Sequence, residues 1–458
     1  MARRQIAVTT LSFEKYTMSA PNIIFIVADD LGFADLGCYG GRGIDGASVS
    51  PQLDRLAAQG LRLTQGYANS PVCSPTRFAL MSMRYQYRLR GALEEPINSR
   101  SKGSATLGLP PQVPTLPSLL REAGYHTALV GKWHLGYPPH FGPLRSGYDE
   151  FFGIMAGGVD YFTHCSFTGE HDLFEGEQAH HEVGYLTDVL SRRAVETIER
   201  LAPDARTGKP FFMSLHYTAP HWPWETRDDA AIAPTLAKNL FHLDGGNVHS
   251  YRRMIQHMDE GIGGVMDALA RQGLADDTLV VFTSDNGGER FSDNWPLVGG
   301  KMDLTEGGIR VPWIAHWPRV IPAGGVSAQH CMTMDWSATL LDVGGGKPAP
   351  EYPLDGLSLR ALLADPAHRF ERPLYWRMNH RGQRALRIGD WKYLRVDGHE
   401  YLFNLTADER ERANRAPREP ERLQAMRLQW EDWDATMPPI PEDASVSLGF
   451  SVSDMPQR

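Results

Sequence analysis

The sequence predicts an α/β fold, a mainly parallel sheet sandwiched by helices, followed by a smaller C-terminal subdomain built on an antiparallel sheet. Three observations predict it. Short apolar runs alternate with helix-length segments from residue 22 to about residue 283, four of those runs end in charged or ligating side chains, and the texture changes near Arg372.

The first run, Asn22-Ile-Ile-Phe-Ile-Val-Ala28, is continuous and β-branched, as a strand buried on both faces should be, and it ends in Asp29-Asp30. A helix follows, with Ser50 as cap, Pro51 in the first turn, Leu53, Leu56 and Ala57 on one face and Gly60 at its end. The same unit recurs with a helix near Thr115 to Ala123 and a strand Thr127 to Val130 leading into Lys132 and His134. A helix from about Tyr185 to Leu201 precedes Pro210 to Leu215, which leads into His216 and His221. A helix from about His249 to Arg271 precedes Asp277 to Thr283, which leads into Asp285-Asn286.

Ligands of open α/β sheets sit beyond the carboxyl ends of the strands. Side chains leaving four strands at that edge are therefore expected in one cleft. Three long polar or Gly/Pro-rich stretches, Glu94 to Pro117, Gly136 to Gly184 and Trp222 to Asn247, are the expected walls of a substrate pocket. Asp160, Tyr161, His164, Trp222 and Trp224 lie in them and are the candidate pocket residues.

Beyond Arg372, the runs Pro373 to Met378, Arg384 to Ile388 and Trp391 to Val396 read as short strands, with Gly389-Asp390 and Asp397-Gly398 as turns. A charged helix near Glu419 to Trp433 is expected to pack on them, and the tail from Pro438 to be loosely ordered. The expected division is a catalytic domain over 20–370 and the subdomain over 371–458.

A hydrophobic content of 42% with 22% charged residues lets 458 residues bury a large core. Net charge of -9 offers no cationic footprint for nucleic acid, although a local cluster of basic side chains can still focus positive potential in a cleft. No apolar run approaches the roughly 20 residues of a membrane span, so no membrane partner is expected. Arg3 and Arg4 are followed by a stretch, Gln5 to Ser19, too polar for an export signal; cytoplasmic residence is the expectation, with Met18 an alternative start. The four cysteines, at 38, 73, 165 and 331, form no C-x-x-C pair and no zinc spacing, and only Cys73 has a reactive context.

That context is Pro71-Val-Cys73-Ser-Pro75-Thr-Arg77. It resembles the C-x-P-x-R segment in which the sulfatase family oxidises its cysteine to Cα-formylglycine. The resemblance extends, in family order, through Asp29-Asp30, Gly124 to His134, Ala219-Pro-His221, Ser284-Asp285-Asn286-Gly-Gly288 and Lys301, over about residues 21 to 410. It implies an alkaline phosphatase-like arrangement of a large mixed, mainly parallel sheet. The implied activity is sulfuric ester hydrolysis, with a formylglycine-generating enzyme as partner and an aryl or saccharide sulfate as substrate. By resemblance, one geminal hydroxyl of the hydrated aldehyde at residue 73 attacks sulfur and the other expels sulfate. Asp29, Asp30, Asp285, Asn286 and residue 73 hold a cation; hard oxygen ligands favour calcium, or magnesium, over softer metals. Arg77, one helical turn beyond Cys73, orients it. Lys132 and Lys301 hold sulfate oxygens, His134 assists expulsion of sulfate, and His221 with Lys301 protonates the leaving oxygen. Lys132 and His134 alternate, which in an extended segment places them on one face. His216 matches no catalytic position.

One departure stands out. Leu80-Met-Ser82-Met83-Arg84 replaces the L-x-T-G-R that many relatives carry for the modifying enzyme. Two other readings share the motifs: a phosphate diester or phosphonate monoester hydrolase of the same superfamily, and a binding protein made inactive by an unmodified Cys73.

Overall fold

Every residue of the first strand, β1 (Asn22–Ala28), is buried, because helices cover both faces of the sheet that it centres. Its residues part alternately: Ile24, Ile26 and Ala28 enter one apolar cluster, while Ile23, Phe25 and Val27 enter another on the opposite face. The computed structural model describes residues 20–233 and 246–447. Arg3, Arg4, Met18, part of the stretch from Trp222 to Asn247 and the chain after 447 therefore lie outside the described residues.

In chain order the remaining strands of the large sheet are β2 (Leu61–Leu63), β4 (His126–Lys132), β5 (Glu150–Ile154), β6 (Phe174–Glu175), β7 (Gln178–Ala179), β8 (Phe211–His216), β9 (Thr278–Ser284), β10 (Trp313–His316) and β11 (Gly325–Ser327). A separate pair joins β3 (Gly66–Tyr67) to β12 (Cys331–Met332). The ten-stranded order is β11-β2-β10-β9-β1-β8-β4-β5-β6-β7. Strands β9, β1, β8, β4 and β5 are mutually parallel, and β10 runs antiparallel to both of its neighbours. The sheet is thus mixed and mainly parallel.

Register decides what the sheet presents. Ala28 pairs with Ser284, Val27 with His216, and His216 with Gly131. The next residue or two of each chain, Asp29, Asp285 and Lys132, consequently emerge at one level of one edge.

One face of the sheet carries α1 (Pro51–Gln59), α4 (Leu186–Arg206) and α5 (Val248–Arg271), and the other carries α2 (Cys73–Ser82), α3 (Leu116–Glu122), α7 (Thr333–Val343) and α8 (Arg360–Ala364), while the short α6 (Glu306–Ile309) follows the loop of Lys301. Thr115 caps α3 through a box with Ser118, and Asn247 caps α5, accepting from His249 and Ser250. No described helix is long and apolar enough to cross a membrane.

The C-terminal sheet is a meander of β13 (Leu374–Arg377), β14 (Arg384–Ile388), β15 (Trp391–Val396) and β16 (His399–Asn404). Asp397 and Gly398, at φ 50° and 81°, supply the paired left-handed residues of a two-residue hairpin between the last two strands. Helix α9 (Pro420–Asp434) packs there, and Trp430 donates its indole N–H to the Trp376 carbonyl at 3.0 Å. This sheet shares an apolar cluster with Val72, Cys73 and Ala79, so it buttresses the segment that carries Cys73.

Two expectations need correction. The tail after Pro438 is anchored through Ser447: Glu95 and Val446 form a bridge in which Glu95 N–H donates to the Ser445 carbonyl and Ser447 N–H donates to the Glu95 carbonyl, each at 2.9 Å, and Ala444 is buried, so the main-chain donors of Glu95 and Ser447 are satisfied there. His134 has a left-handed φ of 59°, so it does not share a strand face with Lys132 by alternation; a turn swings it back.

Candidate active site

Cys73 is the first residue of α2, behind an extended Val72. Pro75 falls in that first turn, where a missing N–H breaks no helical bond. Thr76 Oγ1 accepts from Ser70 N–H and donates to Ser70 C=O, both at 2.9 Å, which fixes the approach to the helix. Residue 73 therefore sits where free N–H groups and the helix dipole favour negative charge. Burial pushes the Cys73 thiol up to about 11, against the pull of Lys132 and Lys301.

Arg77, one turn on, is buried; it donates to Asp285 Oδ2 through Nε at 3.0 Å and to the Lys132 carbonyl through Nη1 at 3.1 Å, and its Nη2 lies in ion-pair contact 2.9 Å from the same Asp285 oxygen. It thus orients a carboxylate beside residue 73. Lys132 Nζ meets Asp29 Oδ2 at 2.6 Å and Lys301 Nζ meets Asp30 Oδ2 at 2.7 Å. Asp30 turns back at a left-handed φ of 63° and accepts from Asn286 Nδ2 at 2.7 Å. Burial raises the Asp29 carboxyl well above the usual range, with Lys132 opposing. At Asp30 burial also pushes up, but Lys301, His221 and Lys132 together outweigh it and the pKa falls. Burial is the largest single influence on the Lys301 ammonium and lowers its pKa, but Asp30, Glu289, Cys73 and Asp29 together raise it well above the usual value, so it stays charged.

Ligand atoms of Asp29, Cys73 and Asp285 lie within 4.8 Å of one another. Asp29 Oδ1 and Asn286 Oδ1 are buried with no hydrogen-bond partner among the described residues. Two orphaned oxygens among three carboxylates fit a hard divalent cation, since a buried acceptor left unpaired is costly.

Both histidines are held neutral, with pKa values well below 6.5 through burial first and then through Lys132 for His134 and Lys301 for His221. A carbonyl can only accept, so His134 donates from Nε2 to Ile97 O at 2.7 Å, and His221 donates from Nδ1 to Trp222 O at 2.6 Å. His221 Nε2 is left 3.5 Å from Asp30 Oδ2. His216, set aside in the sequence, lies 3.4 Å from Arg77 Nη1 and backs the guanidinium.

A cavity of about 440 Å³ opens over Cys73, His134, His221 and Lys301. All three long stretches contribute to it, with Pro96 to Lys102, Ser166 to Thr168 and Trp222 on its walls. A hollow of about 540 Å³ against α4 contains none of the motif residues. Of the candidate pocket residues only Trp222 lines the site. Asp160 instead accepts from Phe162 and Thr163, Tyr161 donates to the carbonyls of Thr218 and His221, His164 donates to Gly184, and Trp224 packs edge-on against Phe291. Such internal bonding is what buried polar groups require.

Several residues escaped the sequence. Glu289 lies 3.6 Å from Lys301 Nζ, and burial drives its carboxyl up to about 8. Gln383 grips the Lys301 loop with both ends of its amide, accepting from Leu304 N and donating to Met302 O, each at 2.8 Å. Ser447 reaches the pocket and accepts from Asn98 Nδ2 at 2.7 Å. A lone Glu after a glycine turn, an amide before a strand and a tail serine carry no pattern to find them by. Met83 takes a left-handed φ of 57° at the end of α2, at the position of the family glycine, and buries its side chain there.

A family model described as sulfatase matches residues 21–346. The chain belongs to the sulfatase family. Members of this family are sulfuric ester hydrolases. Arylsulfatase J of Mus musculus is 32% identical over 407 residues, 82% of this chain and 64% of that protein. N-acetylgalactosamine-6-sulfatase of Homo sapiens is 32% identical over 381 residues, 78% of this chain and 68% of that one. A crystal structure of Ps i-CgsB in complex with k-i-k-neocarrahexaose superposes with a TM-score of 0.80 at 32% identity, covering 92% of this chain and 94% of that one. Phosphonate monoester hydrolase of Agrobacterium radiobacter, at TM-score 0.62 and 19% identity, shares the fold. The architecture of this sulfatase is accordingly alkaline phosphatase-like, and the family implies a metal ion and a formylglycine.

Proposed function

We propose that this sulfatase hydrolyses the sulfate monoester of a saccharide, using residue 73 as Cα-formylglycine and a calcium ion, with magnesium as substitute, held by Asp29, Asp30, Asp285, Asn286 and residue 73. When bound, the cation supplies Lewis acidity toward a sulfate oxygen, and the hydrated aldehyde supplies the nucleophilic hydroxyl. The formylglycine-generating enzyme would be the partner that installs it. The catalytic part is placed at 20–370 and the antiparallel subdomain at 371–458.

The observation that carries this reading is the gathering of Lys132, Lys301, His134 and His221 around the N-terminus of α2. A sulfate monoester disperses its charge over several oxygens, and donors fixed in advance around those oxygens lower the barrier by following the charge as it moves. Lys132 and Lys301 hold the anion in line with residue 73. Arg77 keeps Asp285 in place. His134, with Nε2 committed to Ile97, faces the anion with its other ring atoms and assists release of sulfate. His221, with Nδ1 committed to Trp222, moves a proton through Nε2 and, with Lys301, protonates the departing sugar oxygen.

A saccharide is favoured because the cavity of about 440 Å³ exceeds one sulfate and presents Trp222 stacked on Phe167, with ring centroids 4.6 Å apart. The saccharide in the Ps i-CgsB complex is consistent with this class. The test compares sulfate release from aryl and saccharide sulfates with turnover of phosphate diesters and phosphonate monoesters. Sulfate release should dominate and vanish in Cys73→Ala; faster turnover of the phosphorus esters would replace this assignment.

A further inference from the structure

The pocket that holds the reacting ester is much larger than that ester, and its walls have one charge. Among the described residues that line it there is no Asp or Glu, although the whole chain carries a net charge of -9. The cations on the walls are Arg100, Lys102 and Lys301. Two are engaged: Lys301 is paired with Asp30, and Lys102 is paired with Glu170 while lying 5.5 Å from the centre of the Tyr137 ring.

Arg100 differs. It is exposed at the mouth, and among the described residues its guanidinium has no hydrogen bond or ion pair. Its backbone is fixed all the same, since Arg100 N–H donates to Asn98 Oδ1 at 2.9 Å, and Asn98 Nδ2 donates to Ser447 Oγ at 2.7 Å. An unpaired guanidinium carried on a fixed stretch of main chain matches the two-oxygen geometry of a sulfate or a carboxylate. The proposed function assigns the scissile sulfate to Lys132 and Lys301, so the anion that Arg100 receives is another one.

We propose that Arg100 is the specificity-determining residue of a second anion subsite, and that the substrate is a saccharide carrying a further sulfate ester or uronate carboxylate besides the ester that is cleaved. This rests on the saccharide sulfatase reading above.

The experiment uses three saccharide sulfates of equal length with the same scissile ester: one with no other charge, one with a second sulfate, and one with a uronate. The full chain should show a higher kcat/KM on one or both doubly anionic substrates, and added salt should erode that preference. Arg100→Ala should reduce the preference about tenfold, a loss of roughly 1.4 kcal/mol, and Arg100→Lys should restore part of it. Preference for the sulfate or for the uronate alone names the anion. No preference in the natural chain, or one unchanged in Arg100→Ala, overturns the subsite. Titration calorimetry of the same saccharides reads the subsite without turnover: if no sulfate is released but binding prefers the doubly anionic ligand and Arg100→Ala removes that preference, the hydrolase reading fails and the subsite stands.

Discussion

Gly157 tests the proposed role of His134 in sulfate release without touching the histidine. An ideal Cβ at 157 would lie 2.6 Å from both Cε1 and Nε2 of His134, whereas ordinary contact begins near 3.4 Å. The φ of Gly157 is not left-handed, so Gly157→Ala costs no backbone strain, only space. The imidazole must retreat by roughly 0.8 Å, which disturbs its 2.7 Å bond to Ile97 O. Misplacing a reacting group by about 1 Å costs on the order of 10²-fold in rate, equivalent to about 2.7 kcal/mol of barrier. Even complete loss of that hydrogen bond costs only about 1 kcal/mol of stability. Gly157→Ala should therefore fold, melt near the natural temperature and release sulfate about 10²-fold more slowly. Gly264→Ala is the control, because its new Cβ would meet nothing nearer than Val195 Cγ2 at 3.9 Å. A Gly157→Ala protein that releases sulfate within about threefold of the natural rate would refute the placement of His134 in the mechanism.

Asp285→Asn should lower bound calcium, measured by elemental analysis. It should also lower thermal stability by an amount on the order of 3 kcal/mol, because buried Arg77 loses its carboxylate; unchanged metal content and activity would remove Asp285 from the site. Gln383→Ala frees both Met302 O and Leu304 N and should loosen Lys301, lowering kcat more than it raises KM; a change in KM alone would argue against that role. Burial, then Asp160, pushes the Glu225 carboxyl from 4.5 up to about 9. The folded chain thus keeps a proton that the unfolded chain releases in that window, and stability falls as pH rises from about 4.5 toward about 9. Glu225→Gln should flatten this decline in a series of melting curves, and identical slopes would contradict the assignment.

The elements that position the site were legible because strands buried on both faces are written as unbroken apolar runs. Asn22 to Ala28 and Thr278 to Ser284 are such runs, and their register aligns Asp29 with Asp285. The candidate ligands and the cationic side chains could be picked out from motif and strand-end position together, and the fold brings them to one edge of the sheet. What escaped has a physical reason in each case. All ten residues of α2 are buried, as are all of α7 except Asp342, so neither shows an amphipathic stripe. Strand β10 is only four residues long, and β16 follows a two-residue turn within a polar run. The side chains of Asp160, Tyr161 and His164 have the polar chemistry of a binding loop but spend it on main-chain groups of their own loops. Distances between loops decided the rest: nothing local announces that Ile97 would receive His134 or that Ser447 would return to the pocket.

Residue 73 is proposed to react as an aldehyde beside an oxygen-ligated cation. Mass analysis of the peptide spanning Pro71 to Arg77, taken from protein whose sulfate release has been measured, tests it most directly. Formylglycine is expected at 73, in a fraction that scales with activity from preparation to preparation. Full sulfatase activity in protein that carries only unmodified Cys73 would contradict it.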